Sequence, residues 1–101
     1  MAITLQTVTT KPADKLWYGQ VSAENKTKVQ EHDAWTESQP GFVSHTLEDT
    51  TENIRTYTIV FDTLENYTAW ATSRVARAIF TERTTHNQTN GCTQSSTETI
   101  T

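Results

Sequence analysis

The sequence has a single cysteine, two prolines and three glycines among its 101 residues. The lone thiol, Cys92, excludes an intrachain disulfide and an all-cysteine metal site within one chain. No apolar run approaches the roughly 20 residues that a membrane span needs. The first residues also lack the basic and apolar parts of a secretion signal. Together these absences predict a protein of the reducing cytoplasm that makes no contact with a membrane.

Positive charge is sparse as well. Eight lysines and arginines stand against twelve acidic residues, for a net charge of −4, and the basic residues never form a run. Binding to phosphate backbones needs a clustered basic patch, so we expect no nucleic-acid partner. No two histidines, and no histidine and carboxylate, have the spacing at which one element supplies two metal ligands. The sequence therefore predicts no metal site and no cofactor.

Much of the large apolar material is aromatic, with three residues each of tryptophan, tyrosine and phenylalanine, whereas aliphatic residues are few. A chain of this length makes one domain, residues 1–101. A monomer with so small an aliphatic core would be marginally stable, and burial against a second copy would stabilise it. We therefore expect a homodimer. Threonine, the commonest residue, suits the solvent faces of strands.

Periodicity predicts the element order strand, helix, strand, strand, helix, strand, which is the ferredoxin-like βαββαβ sandwich of the α+β class. The segment from Ile54 to Asp62 has apolar residues on both faces and should be a central strand covered on both sides. The strands are Ile3 to Thr10, Phe42 to Glu48, Ile54 to Asp62 and Thr97 to Thr101. Ser22 and Thr63 are the predicted N-caps of the helices. The first helix ends at Pro40-Gly41, the second continues to Ile79 or beyond, and the segment from His86 to Ser96 is predicted to be a polar loop.

Two stretches resemble the antibiotic biosynthesis monooxygenase type of dimeric α+β barrel. One is the junction Ser38-Gln-Pro-Gly-Phe-Val43, where a helix end leads into a strand. The other is the strand and helix from Tyr57 to Ser73, which carries an aromatic-x-x-Trp-x-x-Ser pattern. The similarity extends over residues 3–80 as an ordering of elements. It implies a dimeric α+β barrel in a superfamily whose activities include cofactor-free oxidation of quinols, haem degradation and isomerisation.

The haem-degrading branch, as the resemblance implies, uses a histidine on the second helix, an asparagine on the first strand and a tryptophan at the end of the third strand. In this sequence those positions fall on Phe80, on a first strand without asparagine, and on Phe61. Phenylalanine cannot ligate iron. We therefore expect no haem.

His45 is the side chain that best suits proton abstraction, because it alternates with Val43 and Leu47 on a covered strand face, and a neutral imidazole can take a proton. Trp35, Tyr57, Trp70 and His32 are the candidate walls of a ligand pocket. Each has a simpler interpretation. A histidine on an apolar face is more often a hydrogen-bonded core residue, and the aromatic residues can be plain core. His86 is expected to be solvated.

Three hypotheses remain open on these residues. The first is a cofactor-independent monooxygenase-like enzyme acting on a small aromatic or carbonyl compound. The second is a protein that binds a small molecule without turnover, and the third is a structural or accessory dimer. A pocket of roughly 300 Å³ or more that contains His45 would favour the first two. If both of its ring nitrogens are paired, that would favour a structural role for His45.

Overall fold

The computed structural model describes all 101 residues, which form one four-stranded sheet and three α-helices. The strands, all antiparallel, lie in the order β2-β3-β1-β4. This is the predicted ferredoxin-like α+β fold, with β3 in a central position. The element bounds are β1 Ile3–Thr10, a 3₁₀ turn Tyr18–Gln20, α1 Ala23–Glu37, β2 Phe42–Thr51, β3 Ile54–Phe61, α2 Leu64–Val75, α3 Ala78–Thr89 and β4 Thr93–Ile100.

The two predicted helix N-caps are confirmed. The hydroxyls of Ser22 and Thr63 each accept a hydrogen bond, of 3.1 Å, from the backbone N–H three residues later. Glu24 and Glu65 lie in the first turns, where a carboxylate favours the helix dipole. These contacts fix where α1 and α2 begin.

The second helical region differs from the prediction, because the helix stops at Val75 and a separate helix, α3, runs from Ala78 to Thr89. The predicted polar loop from His86 to Ser96 is thus helix up to Thr89 and strand from Thr93. Only Ile79 of α3 is fully buried, so the helix has almost no apolar stripe from which its periodicity could be read. The last strand also begins four residues earlier than predicted, at Thr93.

The face of β2 was also predicted incorrectly in part. A register shift between Phe42 and Ser44 leaves Val43 as an extra residue, as in a β-bulge. His45 therefore shares the helix-facing side of the sheet with Phe42, their rings 5.1 Å apart, while Val43 is exposed. Because of the bulge, Val43 does not share a face of the sheet with His45, as the alternation in the sequence had suggested.

The core lies between the sheet and the helices. Its members are Ile3, Leu5, Ile59, Phe61, Tyr67 and Trp70, with Trp35, Phe42, Tyr57 and Ala71 packed against them. The opposite side of the sheet carries half-buried apolar residues on its central strands, among them Val8, Ile54 and Val60. None of the three α-helices has the length and apolarity that crossing a bilayer requires.

Candidate active site

A cavity of about 340 Å³ opens between the sheet and the helices. This volume exceeds the roughly 300 Å³ expected of a ligand site. Every strand and every helix contributes to its walls, which combine aromatic, threonine and charged side chains. The lining includes Trp17, His32, Asp33, His45, Arg55, Tyr57, Trp70, Arg74, Phe80 and Arg83.

Four of the five predicted site residues lie at this cavity: His45, Tyr57, Trp70 and His32. Trp35 does not line it. The Trp35 ring stacks on His32 at 5.5 Å and lies 4.4 Å from the guanidinium of Arg77, and it packs against the core. Trp35 therefore packs against His32, which is a wall residue, and does not itself face the cavity.

His45 is held at both ring nitrogens. Its Nδ1 lies 2.9 Å from the hydroxyl of Tyr57, and its Nε2 lies 3.0 Å from Oε2 of Glu37. Since Glu37 has only acceptor oxygens when ionised, Nε2 carries the proton and Nδ1 accepts the hydroxyl proton of Tyr57. The three groups form a hydrogen-bonded chain, which we call the Tyr57–His45–Glu37 relay.

The relay runs from the cavity towards solvent. The side chain of His45 is 17% exposed and that of Glu37 is 55% exposed. Burial, followed by the nearby charge of Asp33, raises the pKa of Tyr57 well above its usual range, so its phenol stays neutral. Tyr57 therefore meets a ligand as an uncharged hydroxyl whose own proton already points to a base.

His32 is a different kind of histidine. It is buried on α1, and burial, followed by the charges of three arginines, lowers its pKa to about 4. Its Nδ1 is buried and has no hydrogen-bond partner within the protein. At neutral pH His32 is thus an uncharged wall residue.

Cationic side chains are the part of the site that sequence patterns missed. Arg55, Arg74 and Arg83 all line the cavity, against one carboxylate, Asp33. The late position of Arg74 in its helix suggested only an interaction with the helix dipole. Its guanidinium instead lies over the ring of Trp70, at 4.5 Å from the centroid, and near that of Phe80, at 5.4 Å.

Phe80 and Phe61 are the two residues on which the expectation of no haem was based. Phe80 is a cavity wall and Phe61 is fully buried in the core. The hydrocarbon ring of Phe80 has no atom that can ligate iron. No group of three or more histidine, cysteine, aspartate or glutamate side chains is arranged to hold a metal ion.

Solved structures with a similar fold include SnoaB, a cofactor-independent oxygenase from Streptomyces nogalater, which is 20% identical with a TM-score of 0.63. The match covers 99% of this chain and 92% of SnoaB. The chain has the antibiotic biosynthesis monooxygenase-like fold. A Deinococcus radiodurans protein that is provisionally assigned as an antibiotic biosynthesis monooxygenase also has a similar structure. It is 13% identical over 100% of this chain and 92% of its own, with a TM-score of 0.63.

A third similar structure is the heme-degrading protein Rv3592 from Mycobacterium tuberculosis. It is 14% identical over 99% of this chain and 93% of its own, with a TM-score of 0.51. No protein-family model and no curated protein matches the sequence. At these identities the likeness establishes the fold, and the chemistry has to be argued from the cavity itself.

Proposed function

We propose that this protein is a cofactor-independent monooxygenase-like enzyme that removes a proton from a small aromatic or carbonyl compound. The observation that carries the proposal is the Tyr57–His45–Glu37 relay at the wall of a cavity of ligand size. SnoaB, which shares the fold, is a cofactor-independent oxygenase. An enzyme of that kind needs a base beside a space for its substrate, and this cavity has His45 at its wall.

The relay moves a proton without ionising tyrosine. A hydroxyl or enol of the substrate gives its proton to the oxygen of Tyr57 while Tyr57 gives its own to Nδ1 of His45. The imidazolium that forms is stabilised by Glu37 on its other nitrogen. Burial raises the pKa of the Tyr57 phenol and so disfavours a tyrosinate intermediate, which is why a concerted transfer is the form that we propose.

The deprotonated substrate then reacts with O₂, which is the only oxidant required. Two electrons pass from the substrate anion to O₂, a carbon–oxygen bond forms, and the peroxide takes the proton back from His45 through Tyr57. At a CH₂ carbon the resulting hydroperoxide loses water and becomes a carbonyl. One oxygen atom of O₂ enters the product and the other leaves as water.

Oxygen uptake with anthrone, an aromatic ketone with an enol tautomer, tests this proposal. The wild-type protein, treated with a chelator and given no cofactor, should accelerate O₂ consumption and anthraquinone formation over the uncatalysed rate. Tyr57→Phe should lower the rate about 100-fold, since it breaks the relay. Tyr67→Phe, a core tyrosine outside the cavity, is the control. If Tyr57→Phe reacts as fast as the control, the proton path is wrong.

The main alternative is a protein that binds the same compounds without turnover. The pairing of both His45 nitrogens favours it, because that pairing is also what a purely structural histidine requires. The two functions differ in one measurement: a binding protein would hold anthrone in the cavity and leave the O₂ consumption at the uncatalysed rate. A structural or accessory role is the less supported reading, since the space between sheet and helices is not filled.

We also propose that two copies pair through the side of the sheet that faces away from the helices. Val8, Ile54 and Val60 lie there on the two central strands and are only half-buried in one chain. Covering these side chains would remove apolar surface from water and compensate for the small aliphatic core. The predicted cytoplasmic setting remains a prediction.

A further inference from the structure

Three arginines line a cavity in a protein whose net charge is −4. Two of them, Arg74 and Arg83, have no salt bridge within 4 Å. Arg55 differs, because its Nε and Nη2 donate hydrogen bonds of 2.7 Å and 3.3 Å to the carboxylate of Asp49. The cavity therefore contains two cationic groups that no carboxylate of the chain contacts within 4 Å.

The guanidinium of Arg74 is held by aromatic rings. It lies 4.5 Å from the centroid of Trp70 and 5.4 Å from that of Phe80, and its Nε is buried without a partner in the protein. Stacking of this kind fixes the plane of a guanidinium and leaves its N–H edge free to donate. A planar acceptor with two oxygens matches that edge.

Arg83 lies on α3, the helix that follows the one carrying Arg74, and it lines the same cavity. Burial lowers the pKa of both arginines. The charge of Arg83 also lowers the pKa of Arg74, whereas the charge of Asp33 raises that of Arg83. Two guanidinium groups that share a partly desolvated space are stabilised by an anion between them. Asp33, the one carboxylate on the wall, forms no salt bridge with either.

We infer that the cavity binds an aromatic compound that carries a carboxylate, with the carboxylate at Arg74 and Arg83 and a ring hydroxyl or enol at Tyr57. The flat ring system lies along the aromatic walls, which include Trp17 and Trp70. The inference rests on the proposed function for the location of the reacting hydroxyl, and it adds the chemical class of the substrate. A neutral analogue would leave both arginines without a counter-charge.

Calorimetric titration with 6-hydroxy-2-naphthoate and with 2-naphthol, which lacks the carboxylate, tests the inference without requiring turnover. The wild-type protein should bind the acid at least about tenfold more tightly than the naphthol, since a charge-assisted pair is worth about that ratio or more. Arg74→Gln and Arg83→Gln should each remove about tenfold or more of the affinity for the acid and leave the affinity for the naphthol within about twofold.

Arg77→Gln is the matched control. The guanidinium of Arg77 also stacks on a tryptophan, at 4.4 Å from Trp35, and its Nε is also buried without a partner, but Arg77 does not line the cavity. It should leave both affinities unchanged. Arg74→Lys and Arg83→Lys, which keep the charge and the stem, provide folded variants if the glutamine variants unfold, and they should lose part of the preference for the acid.

Equal wild-type affinity for the two compounds would overturn the inference, as would an equal loss for both in the cavity variants. The outcome is separable from the proposed oxygenase activity. Preference for the acid with no O₂ consumption would uphold the anion site and contradict the enzyme. Anthrone turnover with no preference for the acid would uphold the enzyme and contradict the anion site.

Discussion

His32 is buried against Trp35 with its pKa lowered to about 4, from an ordinary value of about 6.5. The cause is chiefly desolvation, to which nearby arginines add. The folded state therefore binds fewer protons than the unfolded state between these two values. The contribution of His32 to stability must fall as the pH drops through about 6.5, and that loss must level off below about 4.

The magnitude follows from linkage. Between pH 7 and pH 5 His32 should cost the protein roughly 2 kcal/mol of unfolding free energy, at 1.36 kcal/mol per pH unit below the unfolded pKa. Urea unfolding at the two pH values measures it, with His32→Gln as the variant that removes the titration. The pH dependence should shrink by about that amount in His32→Gln and persist in His86→Gln. An unchanged dependence in His32→Gln would show that other groups cause it.

Phe80 leads to a second expectation at this scale. Its side chain stands where the resemblance requires an iron-ligating histidine, and it cannot supply a ligand. Added hemin should give no saturable Soret shift at one site per chain. A tight, stoichiometric shift would contradict this, and His32→Gln and His45→Gln would then show which histidine binds the iron.

At the scale of elements, the N-cap of α2 is the contact most easily tested. The Thr63 hydroxyl accepts the backbone N–H of Asn66, so Thr63→Ala should cost about 1 kcal/mol of unfolding free energy. Thr68→Ala, on an exposed turn of the same helix, makes no such contact and should change stability by less than about half that amount. If both variants have equal stability, the cap does not stabilise the helix.

The elements also show what sequence patterns can convey here. Ser22, Thr63 and Gly41 were recognisable because their signals are local: a capping hydroxyl before a helix, and a glycine that adopts the left-handed φ of 79°. Helix α3 was not recognisable, since it buries one residue fully and is otherwise polar or half-exposed. Tertiary packing, rather than periodicity, stabilises such a helix.

The candidate site divides in the same way. His45 and Tyr57 could be identified as strand residues on a covered face, but Glu37, the second partner of His45, lies on α1, across the turn at Gly41. No spacing rule links a helix end to a strand eight residues later. Arg74 and Arg83 could not be assigned to a ligand either, because the apposition of α2 and α3 over one cavity is a property of the folded chain.

At the scale of the whole molecule, the proposed dimer makes a sharp prediction. Light scattering at micromolar concentration should return twice the 11.4 kDa chain mass. Val60→Lys, on the side of β3 that faces away from the helices, should return the chain mass, since burying an ammonium without a partner is costly. Val75→Lys, exposed at the end of α2, should remain dimeric. A wild-type protein that is monomeric under these conditions would contradict the proposed pairing.

The central claim is that the relay built on His45 transfers the proton that starts oxygenation. The most direct test is the initial rate of O₂ consumption with anthrone for His45→Gln, measured beside His86→Gln and with unfolding free energies for both. His86 is the control because it lies on α3 outside the cavity, with its Nε2 2.8 Å from the carbonyl oxygen of Leu16. We predict a rate at least about 100-fold below wild type for His45→Gln, near-wild-type stability, and little change in rate for His86→Gln. A His45→Gln variant that is strongly destabilised but, while folded, consumes O₂ at the wild-type rate would make His45 a packing residue and contradict the account.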